Sequence, residues 1–402
     1  MVWAVSKLGE VCNIVGGGTP TKSNEDFYGG EIPWATVRDM REELLSSTEL
    51  KITEEAIKKS STNLIPSGSI ITATRVGLGK VCILQQDTAI NQDLKAIIPN
   101  VGILDNGFLY WWLKSVSHEI VTAGTGATVQ GVKLTFIKLL EIPLPPIAEQ
   151  KRIVAILDKA FADIDRARAI TEQNLKNARE LFDSYLQQVF SQRGEGWNDE
   201  RLESICTFSS GGTPSKKNSS YWSGNIPWVS GRDMKSAQLF DSLLHISQSA
   251  INEASARMAK AGTILVLVRG MGLAHGAQVA ELMVPCAFNQ DIKGIHPKPN
   301  IVSRYLAITL RYHINISENI ISSAAHGTLK INMDDLNNVI IPVPPTVQQK
   351  HLVDKFGVFI KEINYLETVY LKKLDALDEL KKSILQKAFS GELTKDDTGA
   401  AA

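Results

Sequence analysis

Arg75 and Arg269 each close a short apolar run and enter a glycine-containing turn: Val76, Gly77, Leu78, Gly79 and Lys80 follow the first, and Gly270, Met271 and Gly272 the second. An arginine at a strand end beside flexible backbone can reach a phosphate or a base edge, because its planar guanidinium donates two parallel hydrogen bonds. A salt bridge inside the domain would use the same group, and the residues alone leave both uses open. Lys22, Lys216 and Lys217 follow glycine-rich turns, and Lys80 ends the turn after Arg75. All four are candidate phosphate contacts or plain solvated charges. Arg38 and Arg232 each precede an aspartate, Asp39 and Asp233, and for these two an internal ion pair is the expected use.

Motifs for covalent chemistry fail one by one. Gly16, Gly17, Gly18 and Thr19 lack the lysine of a phosphate loop, and no GxGxxG follows an expected strand. His118 and Glu119 have Thr122 where a zinc protease needs its second histidine, and no GxSxG elbow occurs. Glu149 and Lys151 form half of a nuclease-like pattern, but the corresponding pair is Gln348 and Lys350, so capping of a helix start is the better account. A methyltransferase acting on an exocyclic amine needs a polar residue before Pro-Pro and an aromatic after it. Here the two pairs read Leu144-Pro145-Pro146-Ile147 and Val343-Pro344-Pro345-Thr346. The chain is therefore expected to have no catalytic centre and to bind no metal or cofactor of its own.

The elements that position these groups occur twice. Gly17-Gly18-Thr19-Pro20 returns as Gly211-Gly212-Thr213-Pro214, Ile32-Pro33-Trp34 as Ile226-Pro227-Trp228, and Arg38-Asp39-Met40 as Arg232-Asp233-Met234. Asn91-Gln92-Asp93 and the Pro-Leu-Pro-Pro exit at residues 143–146 return as Asn289-Gln290-Asp291 and residues 342–345. A period this long denotes a duplicated globular unit and not a solenoid. The paired glycines are expected in turns that need glycine's conformational freedom. Trp34 and Trp228 are expected as core anchors beside extended X-Pro segments.

Composition sets outer bounds. With 402 residues, 44% hydrophobic and 21% charged, the chain suits two to four globular domains. Net charge is zero; residues 1–146 carry −2 and residues 197–345 carry +2. Neither half has the basic footprint that phosphate binding favours, so any grip on DNA must come from local patches or a more basic partner. The first residues lack the apolar run of a signal peptide and no stretch reaches membrane-span length, which makes a cytoplasmic protein the expectation. Cys12, Cys82, Cys206 and Cys286 show no metal-ligand spacing and read as reduced, partly buried side chains.

Each copy is α+β. The runs Ile70–Thr74 and Ile264–Val268, entered through Gly68 and Gly262, read as buried strands, while residues 53–60 and 108–120 read as helical. After each Pro-Pro exit comes a proline-free stretch of good helix formers, residues 147–190 and 346–389. In the second, Leu352, Phe356, Phe359, Ile363, Leu366, Tyr370, Leu377, Leu380 and Ile384 fall on steps of four and three, broken at Lys373. The matching face of the first carries Ile153, Leu157, Ala160, Ile164, Ala167, Thr171, Ala178, Leu181 and Tyr185. Such a seam predicts that the two helices pair within the chain, and antiparallel, because the first carries the chain from one globular part to the other and the second must return; a solvated linker or a homo-oligomeric coiled coil is the alternative. Thr346 and Gln349 are spaced as a capping box, for which Ile147 leaves no counterpart.

In this order and duplication, the segments resemble the DNA specificity subunit of type I restriction-modification systems. The resemblance covers the whole chain, including the Gln150-Lys151 and Gln349-Lys350 helix starts and the Phe190-Ser191 and Phe389-Ser390 helix ends. It implies two target-recognition domains, residues 1–146 and 197–345, and two long antiparallel helices, residues 147–196 and 346–402, the last with a disordered tail. The arrangement would have approximate twofold symmetry. Each domain would read one half of a bipartite site in double-stranded DNA. The helices would set the spacing and dock two modification subunits that hold S-adenosylmethionine, and a translocating restriction subunit could join. The copies diverge between their shared segments, at residues 76–86 against 270–279 and 122–133 against 322–332, so the half-sites are expected to differ. A two-headed architectural DNA-binding protein or a protein adaptor is the alternative reading.

Overall fold

The computed structural model describes residues 3–126, 130–323 and 327–395. They form two compact units, Met1–Glu172 with Leu371–Ala402, and Gln173–Tyr370. In the first unit, five strands lie in the order Cys12–Gly16, Leu94–Pro99, Ile70–Ala73, Val81–Leu84 and Leu44–Leu45. A second sheet takes the order Leu50–Ile52, Tyr28–Ala35, Thr88–Ile90 and Asn63–Ile65, and Ala4–Lys7 pairs with Glu141–Leu144. The second unit repeats this plan. Its five-stranded order is Cys206–Ser210, Ile292–Pro297, Ile264–Leu267, Val279–Leu282 and Gln238–Leu239. The apolar runs entered through Gly68 and Gly262 are central strands buried at every position, as β-branched segments covered on both faces should be. The four cysteines are unpaired and buried. Burial pushes their thiols up, to about 12 for Cys12, Cys206 and Cys286 and about 11 for Cys82.

Two helices of 45 residues, Ile147–Ser191 and Thr346–Ser390, account for the proline-free stretches. Within the first unit the start of one runs antiparallel to the end of the other: Asp165 pairs with Lys381 and Arg168 with Asp378. Within the second unit Arg179 meets Glu367 at 3.0 Å, and Tyr185 lies against Phe359 with ring centroids 4.6 Å apart.

Of the positions expected on the seam, Ile153, Leu157, Ile164, Phe356 and Ile363 are buried and Leu352, Leu366, Leu377 and Ile384 partly so, Ile153 and Leu157 in the same core as Phe108 and Trp111. Leu181 and Leu380 do not belong to it, being 46% and 45% exposed. A straight helix advances 3.6 residues per turn, so a count in whole steps of three and four can miss the buried face by one position. The inward positions there are Phe182, and Lys381, whose ammonium lies 5.2 Å from the Phe161 ring centroid.

Each helix start is clamped to its own globular part by a buried glutamine. Gln150 Oε1 accepts from Asp105 N at 2.7 Å, and its Nε2 donates to Ile103 O at 3.1 Å and Pro145 O at 2.8 Å. Gln349 repeats the pattern with Val302 N at 2.8 Å, Asn300 O at 3.1 Å and Pro344 O at 2.8 Å. The expected capping box is therefore absent: Thr346 Oγ1 donates to Asn300 O at 3.0 Å, and the Gln349 side chain turns to the domain instead of the helix start. Aromatic packing backs each clamp. Trp111 packs at a tilt against Phe161, ring centroids 4.4 Å apart, and its Nε1 donates to Asp158 at 2.7 Å, while Phe190 packs on Tyr312 at 5.4 Å.

The second helix ends at Gly391, whose φ of 77° reverses the chain. Beyond it, Leu393 packs against the first unit's core and Thr394 donates to Glu149. Residues 396–402 of the expected tail lie outside the described residues.

Gln349→Leu keeps the volume but strands the Pro344 carbonyl and the Val302 amide, while Asn300 O keeps Thr346 Oγ1, so we expect a loss of about 2–4 kcal/mol in urea unfolding. His313, packed 5.3 Å from the Phe190 ring, is held by burial at a pKa of about 4. The unfolded chain therefore binds this proton more readily than the folded one. Its contribution is present above the ordinary histidine pKa of about 6.5 and is lost as pH falls toward 4. His313→Phe should flatten the fall in melting temperature between those pH values.

Candidate nucleic-acid interface

Shared hydrogen bonds build the same cleft in each unit. In the first, the backbone turns after the Ile-Pro-Trp strand, and Asp39 Oδ2 accepts from Thr36 N at 2.7 Å and Thr36 Oγ1 at 2.8 Å. Asp39 Oδ1 takes Glu49 N at 2.8 Å. Asp233 does the same with Ser230 N and Oγ, both at 2.8 Å, and with Leu243 N at 2.8 Å. Both carboxylates are thus occupied in holding a turn. The ion pairs expected for Arg38 and Arg232 do not form: among the described residues neither guanidinium has an ion-pair partner, and both are exposed at a cleft edge.

The Asn-Gln-Asp segments form the opposite wall. Asn91 Oδ1 accepts from Asp93 N at 3.1 Å, and Asn91 N donates to Ala35 O at 3.0 Å, tying this wall to the Trp34 strand. The counterparts are Asn289 with Asp291 at 3.2 Å and with Val229 at 2.9 Å. Thr19 Oγ1 donates to Gln92 Oε1, and Thr213 Oγ1 to Gln290 Oε1. Trp34 and Trp228 are core anchors, and their indole nitrogens donate to Gly18 O at 3.2 Å and Gly212 O at 3.0 Å.

The paired glycines serve a different need from the one expected. None of the four has a positive φ. A Cβ on Gly17 would lie 2.1 Å from Asn91 O, and one on Gly211 would lie 2.2 Å from Phe288 O. Close approach of backbone to backbone, and not a turn conformation, excludes a side chain there. Gly17→Ala is expected to cost at least about 3 kcal/mol in urea unfolding, as a forced backbone displacement in a packed site should.

The first cleft encloses about 730 Å³ and the second about 360 Å³. Of the candidate cations, Lys22 and Arg38 line the first, and Arg232 and Arg269 the second. Arg75 stands beside the first cleft, its guanidinium 3.7 Å from Asp93. Arg269 has no such ion pair among the described residues. Lys80, Lys216 and Lys217 are exposed but line neither cleft. Sequence reasoning passed over Lys95 and Lys293, which follow the Asn-Gln-Asp segments by two residues. Lys95 Nζ donates to Gln92 O at 2.9 Å and Lys293 Nζ to Ser210 Oγ at 2.6 Å. Burial pulls the Lys95 ammonium below its usual range, opposed by Asp93 and reinforced by Arg75. The signal was available, since the repeat extends through Asn-Gln-Asp-x-Lys in both copies. Among the described residues no group of three or more His, Cys, Asp or Glu is placed to hold a metal ion, and no helix is long and apolar enough to cross a membrane.

One cleft built twice from the same framework, with arginines turned to solvent at its edge, defines a tandem recognition protein. The family model for the type I restriction modification DNA specificity domain matches residues 2–175 and again residues 194–386, and the chain belongs to that family. The MjaIX specificity subunit of Methanocaldococcus jannaschii is 25% identical, the match covering 98% of this chain and 94% of that one. The EcoR124I/EcoR124II specificity subunit of Escherichia coli is 41% identical over 159 residues, 38% of this chain and 39% of that one. In fold, the chain is similar to a solved structure concerned with assembly and conformational transition of the type I R-M system, with TM-score 0.78, 21% identity and 98% of each chain covered. It is also similar to the HsdS subunit from Thermoanaerobacter tengcongensis, with TM-score 0.59, 20% identity and 97% of each chain covered.

Proposed function

We propose that the chain is the non-catalytic sequence-reading subunit of a type I restriction-modification complex, each unit binding one half of a bipartite, asymmetric DNA site. The observation that carries this reading is the duplicated cleft, with exposed arginines at equivalent positions in a protein of zero net charge. Groups common to both clefts suit what is common to both half-sites, the phosphate backbone, and groups that differ suit the bases. Arg38, Arg75, Arg232 and Arg269 are the first candidates for DNA contact, with Lys22 in support; Lys80, Lys216 and Lys217 are more distant ones.

Two modification subunits docked along the long helices supply S-adenosylmethionine, the methyl-transfer site and the basic surface that this chain lacks. A restriction subunit can join them, and the assembly works in the cytoplasm. An adaptor or architectural protein with two heads has no comparable reason to belong to this family.

Selection of DNA from a random pool by the chain co-purified with its modification subunits tests the reading. Two different short half-sites separated by a fixed gap are expected; a single palindrome, or no defined site, would contradict it. Insertion of a few residues into both long helices should change the gap and leave the half-sites alone. Arg38→Ala and Arg232→Ala should each weaken binding several-fold across sequences and lower the slope of log affinity against log salt by about one.

A further inference from the structure

The turn after Arg75 contains a residue ill suited to its backbone. Val76 has φ 45°, in the left-handed region where a β-branched side chain is strained. Both flanks hold it there. Arg75 forms a β-bridge with Gly131. Gly77, itself at φ 72°, is pressed so close to Val37 that an added Cβ would lie 2.8 Å from Val37 Cγ1. Burial offers no compensation, because Val76 is 53% exposed and lines the cleft.

The aligned residue of the second unit is Gly270, at φ 139°, which meets a left-handed demand without a side-chain clash. That cleft carries its own exposed apolar group one residue later, Met271, 64% exposed. Each cleft therefore sets a solvent-facing apolar side chain within two residues of an arginine, at a point where the two copies differ. A core-packing role does not fit a side chain this exposed, and valine offers neither charge nor hydrogen bond. The apolar feature that a base pair presents in the major groove is the 5-methyl group of thymine.

We propose that Val76 reads a thymine methyl group in the half-site bound by the first unit; this rests on the DNA-recognition reading above. The test uses the full chain in complex with its modification subunits, on the selected site with each thymine of the first half-site replaced in turn by deoxyuridine. Loss of one buried methyl contact should weaken wild-type binding about fourfold at a single thymine. Val76→Gly installs the residue that tolerates this φ, so it should melt no lower than wild type. It should bind the thymine and uracil forms of that position equally and read the second half-site unchanged. Uracil insensitivity of the wild type at every position, a first half-site without thymine, or uracil sensitivity surviving in Val76→Gly would overturn the assignment while leaving DNA recognition intact. Failure to select any defined site would instead overturn the recognition reading, and this assignment with it.

Discussion

A glutamine side chain sealed from water must satisfy its donors and acceptor within the protein, and Gln150 and Gln349 do so by binding two separate backbone segments to the first turn of a long helix. The loop before each domain's aromatic helix and the proline exit are fixed to the same amide. An amide left unpaired at such a depth would cost more than the helix start could recover from propensity alone. Direction at the helix start is thus set by hydrogen bonds, and the apolar contacts of Trp111, Phe161, Phe190 and Tyr312 add mass to a geometry already fixed. The division of labour is the usual one for buried polar groups that specify arrangement beside a hydrophobic core.

The same logic governs the clefts. Asp39 and Asp233 are consumed in holding turns, Asn91 and Asn289 in holding the opposite wall, and Trp34 and Trp228 in anchoring the glycine pairs. What is left facing outward is therefore what the framework does not need. Arg38 and Arg232 are free of the neighbouring carboxylates because those carboxylates already accept from backbone and hydroxyl donors at 2.7–2.8 Å.

Much of this was legible in the residues. Buried strands such as Ile70–Ala73, the anchoring tryptophans and the two long helices follow from apolar runs, X-Pro segments and helix-forming composition, and the antiparallel sense of the helices from chain order. Three matters were not, each for a physical reason. Spacing identifies neighbours along a helix but not competition from outside it, so Gln349 read as a cap although it serves the loop at Asn300. Adjacency in sequence does not point side chains together, so Arg38 and Asp39 read as a pair. Whole-number steps of three and four only approximate 3.6 residues per turn, so Leu181 and Leu380 fall one position beside the buried face although Tyr185 and Ile384 beyond them lie on it. In the sequence the glycine pairs were correctly singled out, yet only packing distances distinguish a tight turn from a tight approach.

The two compact units differ in how the chain supplies them. Residues 173–370 form one uninterrupted stretch, whereas the other unit joins the first 172 residues to those from Leu371 onward. Phe389 reaches Phe108 with ring centroids 5.2 Å apart, Ala388 is fully enclosed in the same core, and Thr394 binds Glu149. On a ribosome the order of completion therefore inverts the order of synthesis. The half made first waits, with the apolar surface around Phe108, Leu157 and Phe161 incompletely covered, until Ala388, Phe389 and Leu393 emerge, and a chain cut short before them would leave its beginning unfinished.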